Sequence, residues 1–518
     1  MAFSSDFRGK GPSLEVGVKL ATDKVNGVHT PHVAIAPGEA SAAFGEMLVA
    51  EPTPRVNMQF PYNINSRVAR TRINNGGTVT QASSMAVLQT SAAANASAEL
   101  YSNRVLHYNP GQGAETRFTA LFTTGAANSQ QIIGVGGVGD GLFFGYNGAT
   151  FGVLRRVGGS AHVETMEITA AATGTGNIVV TLDGNATNVA VSSGDTVQDV
   201  ARKIAATDFS DNGTGWVARA DGDTVDFISF DAAAHTGTYS TTGQGVTATF
   251  ASAVTGAAPT DNWTAQTSWN HDVMDGTGSS GVTLDQTKGN VYRIQYQWLG
   301  FGLISFWIEN PDTGGFIKVH DIHYANANTT PTVFNPTFPL CASVVNTSNS
   351  TNITLKTASM VGMVQGKETV HGERFGADSE ISSVTTERPI LTIRVKDFYQ
   401  GKVNRTHAFP DLFSAGGENT GNKTIQFRIY YNATLTGPVV YTSVESNTSP
   451  MEFDVAATGI TGGAKLLDVI TVGGQASQVV QLPSDAGFHM APGDRLTITA
   501  ESSGTTTAVT SLGWIEEI

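Results

Sequence analysis

VYRIQYQWLGFGLISFWIE, residues Val291–Glu309, decides the fold class of this chain. The even-numbered residues from Tyr292 to Trp298 are aromatic or aliphatic, and the odd-numbered residues from Arg293 to Gln297 are polar. A turn-prone Gly-Phe-Gly follows, and the apolar alternation resumes over residues 304–308. A period of two is typical of β-strands. The stretch therefore predicts a hairpin with one face in a large core and the other face in solvent.

The composition agrees with a folded, β-rich chain and argues against several functions. Only 14% of the 518 residues are charged, against roughly 25% in an ordinary soluble domain, while 40% are hydrophobic. The formal net charge is −14, which argues against a nucleic-acid partner because such proteins usually present a basic face. Arg67, Arg70 and Arg72 form a local basic run, and we interpret it as a solvated or subunit-facing loop.

Cysteine content and hydropathy give expectations about the compartment. Cys341 is the one cysteine in the sequence, so no intrachain disulfide can form and a reducing compartment is favoured. The first twenty residues lack an apolar core typical of a secretory signal. The longest apolar uncharged run is too short to cross a bilayer as a helix. We therefore expect neither secretion nor membrane insertion.

The strand pattern divides the chain into four regions. Residues 1–110, rich in proline, alanine and serine, are predicted to be an N-terminal arm or attachment region. Residues 111–163 and 259–375 carry aromatic strands and are predicted to form one β-sandwich, interrupted by an inserted small α+β domain at residues 164–258. Residues 376–518 show strands every 8–12 residues, which is typical of a second, jelly-roll-like sandwich. The predicted fold class is mainly β.

The insertion contains the clearest helix signal in the chain. In DTVQDVARKIAATDF, Asp195 or Thr196 can cap the N-terminus, and an apolar stripe runs from Val197 to Ile204.

Motif searches yield no catalytic or metal-binding constellation. Gly134-Val-Gly136-Gly-Val-Gly139 has the letters of a dinucleotide fingerprint, but a turn and another strand follow it instead of a helix. We interpret it as a glycine-rich hairpin. His320 and His323 lie three apart, which on a strand places them on opposite faces, so they are interpreted as structural. We predict no catalytic residue, no metal and no cofactor.

Three tryptophans are the candidate contact residues. Trp307 lies on the face opposite Phe306, and exposure to a sugar or to a neighbouring subunit is considered. Trp263 and Trp269 are predicted to lie in a polar loop, TDNWTAQTSWN, where stacking on a glycan is conceivable. Packing between subunits is favoured for all three, because aromatic residues are the usual anchors of protein interfaces.

Several segments resemble a known family of proteins. FTALFTTGAANSQQIIGVGGVGDGLFFGYNG with FGVLRRVGG, and VYRIQYQWLGFGLISFWIENPDTGGFIKVHDIHYANANTTP, resemble virion structural proteins of tailed bacteriophages and other large double-stranded DNA viruses. RPILTIRVKDFYQGKVNRTHAFP and the terminal SLGWIEE are similar to a module often joined to them. The inserted region resembles small α+β domains that decorate such proteins. The resemblance covers roughly residues 111–518 and implies no catalytic residue.

The resemblance implies a non-enzymatic virion protein, and we expect a tail- or baseplate-associated fibre or receptor-binding component acting in assembly and host attachment. Expected partners are other copies of the chain in a homotrimer, other virion proteins and a host surface glycan. One alternative is a capsid decoration or head-fibre protein. Another is a glycan-binding, lectin-like protein. A polysaccharide depolymerase is least favoured, because no pair of acids stands out.

Overall fold

The computed structural model describes residues 52–366, 372–418, 423–461, 465–473, 476–481 and 488–517, together with the backbone of four short strands nearer the N-terminus. Those four strands are β1 (Asp6–Phe7), β2 (Val18–Lys19), β3 (Thr22–Val25) and β4 (Val28–Pro31). β1 pairs with β2, and β3 pairs with β4. The rest of the predicted N-terminal arm up to residue 51 lies outside the described residues.

The larger sandwich is built from two stretches of chain. Its first strands are β5 (Pro52–Gln59), β6 (Ala69–Asn74), β7 (Thr78–Ala82), β8 (Met85–Gln89), β9 (Ser97–Leu106), β10 (Ala114–Phe122), β11 (Ser129–Gly136), β12 (Gly141–Asn147) and β13 (Thr150–Val157).

A small α+β unit follows β13. It comprises β14 (Val163–Ala170), β15 (Gly176–Leu182), β16 (Asn185–Val191), the helix α1 (Val197–Ala205), β17 (Trp216–Asp221), β18 (Thr224–Ser229), β19 (Ser240–Thr242) and β20 (Thr247–Val254).

The sandwich then resumes and is completed. Its remaining strands are β21 (Thr260–Ala265), β22 (Asn290–Tyr296), β23 (Ile304–Glu309), β24 (Phe316–Ile322), β25 (Phe338–Asn346), β26 (Thr354–Thr357) and β27 (Ser359–Gln365), with a 3₁₀ turn at Gln266–Ser268.

The C-terminal domain consists of strands alone in its described part. They are β28 (Glu373–Val384), β29 (Arg388–Val395), β30 (Phe398–Tyr399), β31 (Lys402–Val403), β32 (His407–Glu418), β33 (Thr424–Tyr431), β34 (Thr434–Thr436), β35 (Thr442–Ser443), β36 (Met451–Asp454), β37 (Gly459–Thr461), β38 (Lys465–Gly473), β39 (Ser477–Gln481), β40 (Arg495–Ser502) and β41 (Thr506–Glu517).

The protein is therefore mainly β, as its sequence predicts, and the strands of its sandwiches pair antiparallel. In the larger sandwich, the front sheet has the order β21-β13-β12-β11-β25-β9-β6. The back sheet runs β24-β23-β22-β10-β26-β8-β7, and β27 joins β10 to β5. The C-terminal domain stacks β28-β41-β32-β39 against β35-β36-β29-β40-β33-β38.

The predicted hairpin of residues 291–309 is confirmed. β22 pairs with β23, and Tyr292, Ile294 and Phe306 lie fully buried between the sheets. The expectation that the other face is solvated is wrong: Arg293 is 1% exposed. Its guanidinium lies 2.8 Å from a Glu115 carboxylate oxygen and stacks near Trp307. A charged side chain can be buried this way because a carboxylate and an aromatic face replace its water.

The boundary predicted at residue 110 is also wrong. β9 lies between β25 and β6 inside the front sheet, and β5, β7 and β8 belong to the back sheet. Leu88, Ala98 and Leu100 are fully buried in the core of this sandwich. Residues 52–106 are therefore part of the domain. The proline-rich composition near residue 52 conceals the strand character of this segment. β5 tolerates its prolines because it is an edge strand that pairs, among the strands the structure describes, with β27 alone.

The inserted unit has its own apolar core, which includes Trp216, Phe227 and Ile204. Its helix begins after Thr196, whose side chain and the Asp199 side chain form the reciprocal hydrogen bonds of a capping box. The predicted helix and its apolar stripe are confirmed. No helix in the described part of the chain combines the length and apolarity needed to cross a membrane.

Candidate functional site

The outward side of the front sheet, called the front face below, carries an ordered row of side chains. Cross-strand pairing places one residue of each strand in line, because alternate residues of neighbouring strands share a face. From β21 to β6 the row is Trp263, Leu154, Phe143, Gly134, Cys341, Tyr101 and Arg70.

A second row lies two residues along each strand. From β13 to β6 it comprises Gly152, Gly145, Ile132, Ser343, Glu99 and Arg72. Two of its positions accept only glycine. A Cβ atom at Gly145 would lie 1.8 Å from the Gln131 carbonyl oxygen, and one at Gly152 would lie 2.2 Å from that of Thr264. The rows therefore combine bare backbone on β12 and β13 with large polar side chains on β9 and β6.

The front face has an apolar floor and a partly exposed edge. Phe143, Leu154 and Cys341 are at most 1% exposed, and Trp263 packs against this cluster while keeping part of its ring in solvent. Tyr101 extends the floor toward β6. The partly exposed Trp263 ring, supported from below by this buried apolar base, is therefore an aromatic surface that the front face offers to a ligand.

Charged side chains border the floor on the β13 and β21 side. The Arg156 guanidinium donates to both carboxylate oxygens of Asp261, at 2.7 and 2.8 Å, and to the Gln130 side-chain oxygen at 3.2 Å. The same guanidinium lies 6.0 Å from the centre of the Phe143 ring. A bidentate pair fixes the orientation of both partners. Rigid donors and acceptors therefore line this edge.

On the opposite side, Glu99 and Arg72 border the floor. The Ser343 hydroxyl donates to Glu99 at 3.3 Å. Burial raises the pKa of Glu99 above its usual value, and nearby Arg72 opposes that rise. The Arg72 guanidinium lies 5.4 Å from the Tyr101 ring centre and 5.2 Å from that of Phe230 in the inserted unit. The front face therefore reaches the insertion through Arg72.

The basic run predicted as a loop is only partly a loop. Arg70 and Arg72 lie on β6, and their guanidiniums both stand near the Tyr101 ring. Arg67 precedes that strand in a turn in which its backbone N–H donates to Asn65. Arg70 and Arg72 share a face with Glu99, which the predicted boundary at residue 110 conceals by separating β9 from the sandwich.

The three candidate tryptophans occupy different places. Trp263 lies on β21 instead of in a loop, and it contributes to the front face. The interpretation of Trp269 as a surface residue is wrong, because it is 5% exposed and packs near Phe144 in the sandwich core. The expected exposure of Trp307 is also wrong: it is 3% exposed. The charged ends of Arg293 and Lys318 lie 5.2 and 4.9 Å from its ring centre and cover it.

The structure explains the other polar motifs through local hydrogen bonds. The glycine-rich hairpin interpretation of residues 134–139 is confirmed, since β11 is followed directly by β12. The His320 ring accepts from the Asn270 backbone N–H at 3.4 Å, and Asp321 pairs with His271 at 2.7 Å. Among the described residues, no group of three or more His, Cys, Asp or Glu side chains is arranged to hold a metal ion.

Glu99, Tyr101 and Arg156 are the front-face residues that sequence reasoning missed. The alternation of Ala98 and Leu100 with Glu99 and Tyr101 is a usable strand signal. This signal could have placed Glu99 and Tyr101 on a common outward face. Nothing local indicates that Arg156 shares that face, because the assignment depends on pairing across several strands.

Comparison with known proteins gives only coarse likenesses. No family model matches the chain, and no curated protein matches it. Among solved structures, the Emp46p carbohydrate recognition domain in its potassium-bound form aligns with 9% identity and a TM-score of 0.24, covering 60% of this chain and 96% of that one. The VIP36 exoplasmic/lumenal domain, bound to Ca²⁺ and Man3GlcNAc, aligns with 11% identity and a TM-score of 0.23, covering 62% and 93%. A Bauhinia forficata lectin in complex with GalNAc aligns with 9% identity and a TM-score of 0.21, covering 60% and 99%.

Proposed function

We propose that the chain is a glycan-binding protein and that the front face is its binding surface. The observation that carries this proposal is the half-exposed Trp263 ring beside a buried apolar floor, bordered on both sides by charged groups held in place. A saccharide presents apolar C–H faces and a perimeter of hydroxyl groups. The exposed part of the Trp263 ring complements the former, and the Asp261 carboxylate and Arg156 guanidinium beside it complement the latter.

Binding without catalysis is the mode that the geometry favours. The Cys341 thiol is fully buried, and burial raises its pKa, which keeps it protonated and unreactive. Asp261 is engaged on both oxygens by Arg156. A carboxylate held in that way is suited to positioning a neighbouring side chain.

Screening against an array of bacterial-surface and host oligosaccharides tests the proposal. We expect the full chain to retain a defined subset of glycans and Trp263→Ala to bind the same subset at least tenfold more weakly. The lost aromatic contact accounts for about 1.4 kcal/mol or more. Trp263→Phe keeps part of the ring and should show an intermediate loss.

Tyr62→Ala is the matched control, because Tyr62 is 91% exposed and is not part of the front face. It should leave the array pattern unchanged. Absence of any retained glycan, or equal losses in Tyr62→Ala and Trp263→Ala, would contradict the proposal.

A second proposed role is that of a virion structural component that assembles with copies of itself as a homotrimer. Besides the resemblance of its sequence, one feature of the C-terminal domain supports it. β38 and β39 each end a sheet, and they expose Leu466, Val469 and Val479 to 47%, 43% and 65%. Exposed apolar edge strands are templates for pairing with another chain.

Native mass spectrometry and electron microscopy test this role. We expect a trimer that Val479→Lys dissociates, since a charge on the edge strand opposes pairing, and we expect density for the chain at the tail of the assembled particle. Density on the capsid surface would instead support the decoration or head-fibre alternative. A stable monomer of the unaltered chain would contradict self-assembly.

A further inference from the structure

A cleft of about 530 Å³ separates the inserted unit from the C-terminal domain. One wall comes from α1, β17 and the start of β18, and the other from β29 to β30 and from the region around β35 and β36. A volume of this size is in the range of small-ligand sites, which occur preferentially between domains.

Polar and apolar contacts hold the two walls together. The Arg394 guanidinium on β29 pairs with Asp221 at the end of β17. The Arg202 side chain of α1 donates to the Leu435 carbonyl oxygen at 3.3 Å. Phe398 packs against a small apolar cluster that includes Ile228 of the inserted unit. The cleft is therefore a built feature with defined walls.

Two acids in the cleft are already neutralised by strong partners. The Arg394 Nε donates to Glu452 at 2.9 Å, and Lys396 Nζ lies 2.7 Å from the other oxygen of the same carboxylate. Arg394 also lies 3.8 Å from the centre of the Tyr441 ring. Because Asp221 and Glu452 share Arg394, neither offers a free charge to a ligand.

Arg219 is the weakly engaged cation of the cleft. Its Nε lies 3.8 Å from Asp397, at the limit of an ion pair, and its side chain is 51% exposed. Arg495 lines the same cavity. An exposed guanidinium with a loose partner is suited to a carboxylate, which it can hold through two parallel hydrogen bonds.

Two hydroxyl-recognising groups share the cleft with Arg219: Asp226 is its cross-strand neighbour on the same wall, and Tyr399 belongs to the opposite wall. The Tyr399 hydroxyl is buried and has no hydrogen-bond partner in the described part of the chain. One Asp226 oxygen accepts from Thr165 at 2.5 Å. Burial raises the pKa of Asp226 to about 6, with a further contribution from the charge of Asp221 and opposition from the Thr165 hydrogen bond, so this carboxylate accepts hydrogen bonds near neutral pH and takes up its proton near pH 6. Buried polar groups are ordinarily hydrogen-bonded. A ligand hydroxyl would supply the hydrogen bond that the Tyr399 hydroxyl lacks among the described residues.

We propose that this cleft binds a small hydroxycarboxylate of the uronic acid class, with its carboxylate on Arg219 and its hydroxyl groups on Tyr399 and Asp226. The site is separate from the front face and does not depend on the glycan proposal. Because both walls contribute, a bound ligand also fixes the inserted unit against the C-terminal domain.

Isothermal titration calorimetry of the full chain with sodium glucuronate tests the proposal, with glucose, sodium acetate and sodium phosphate as comparison probes. We expect glucuronate to bind measurably and the other three to bind at least tenfold more weakly. Arg219→Ala should weaken glucuronate binding at least tenfold. Tyr399→Phe, which removes one oxygen atom, should weaken it severalfold.

Arg374→Ala is the matched control, because Arg374 is 56% exposed and forms an ion pair with Asp411 in a different part of the C-terminal domain. It should bind glucuronate as the unaltered chain does. Circular dichroism should show unchanged folding for all three variants. No glucuronate binding, equal binding of acetate or phosphate, equal binding of glucose, or equal losses in Arg374→Ala and Arg219→Ala would each overturn the proposal.

Discussion

Phe144→Ala is expected to destabilise the larger sandwich by about 3–5 kcal/mol. Phe144 on β12 is fully buried, and its ring centre lies 4.9 Å from that of Tyr292, 5.3 Å from that of Phe306 and 6.1 Å from that of Trp269. Removing the ring leaves a cavity where front and back sheets meet, and the surrounding aromatic contacts are lost with it.

Native-state hydrogen exchange measures this loss, because a chain with several cores need not unfold in one step. Peptides covering β12 and β22 should lose protection in Phe144→Ala. The exposed Tyr62→Ala should change their protection by less than about 0.5 kcal/mol. Unchanged protection in Phe144→Ala would show that the predicted aromatic core does not hold the two sheets together.

Trp514→Ala is expected to have a comparable effect on the C-terminal domain, about 3–5 kcal/mol. Trp514 on β41 is fully buried, and its indole N–H donates to Glu516 at 2.7 Å. The Ser449 hydroxyl donates to the same oxygen at 2.7 Å. Glu516 is itself fully buried, and burial raises its pKa while these two donors oppose the rise. The variant therefore creates a cavity and removes a donor from a buried carboxylate.

Trp514→Phe separates the two contributions, because it retains most of the ring and lacks the N–H donor. We expect it to lose less stability than Trp514→Ala. In both variants, hydrogen exchange should rise in peptides from β32 and β41 and stay unchanged in β12, since the two domains have separate cores. Equal losses of protection in β12 and β41 would contradict this independence.

Local pattern predicts elements of this fold well and their arrangement less well. The hairpin at Val291–Glu309 and the helix at Val197–Ala205 are encoded by periodicity and capping that lie within a few residues. The terminal SLGWIEE belongs to β41, which lies inside its sheet between β28 and β32 although it ends the described chain. Position in a sheet depends on distant partners, such as Glu418 opposite Thr507 and Glu373 opposite Glu516, which no local pattern records.

The front face illustrates the same limit at the level of a site. Residue type alone marks Trp263 as a candidate. The exposure predicted for Trp307 is wrong because alternation indicates the side of the strand on which a residue lies and does not indicate what covers that side. Arg293 and Lys318 cover it here. Glu99 and Arg156 meet around one floor only through the register of the intervening strands.

The most direct measurement is ¹⁹F nuclear magnetic resonance of the chain labelled with 5-fluorotryptophan, titrated with an oligosaccharide retained on the array. Each resonance is assigned by a Trp→Phe variant. We expect the Trp263 resonance to shift as saccharide is added until the shift reaches a plateau, while the resonances of the buried Trp269 and Trp307 stay in place. A saccharide that binds while leaving Trp263 unchanged, or that shifts Trp307 instead, would contradict glycan recognition at the front face.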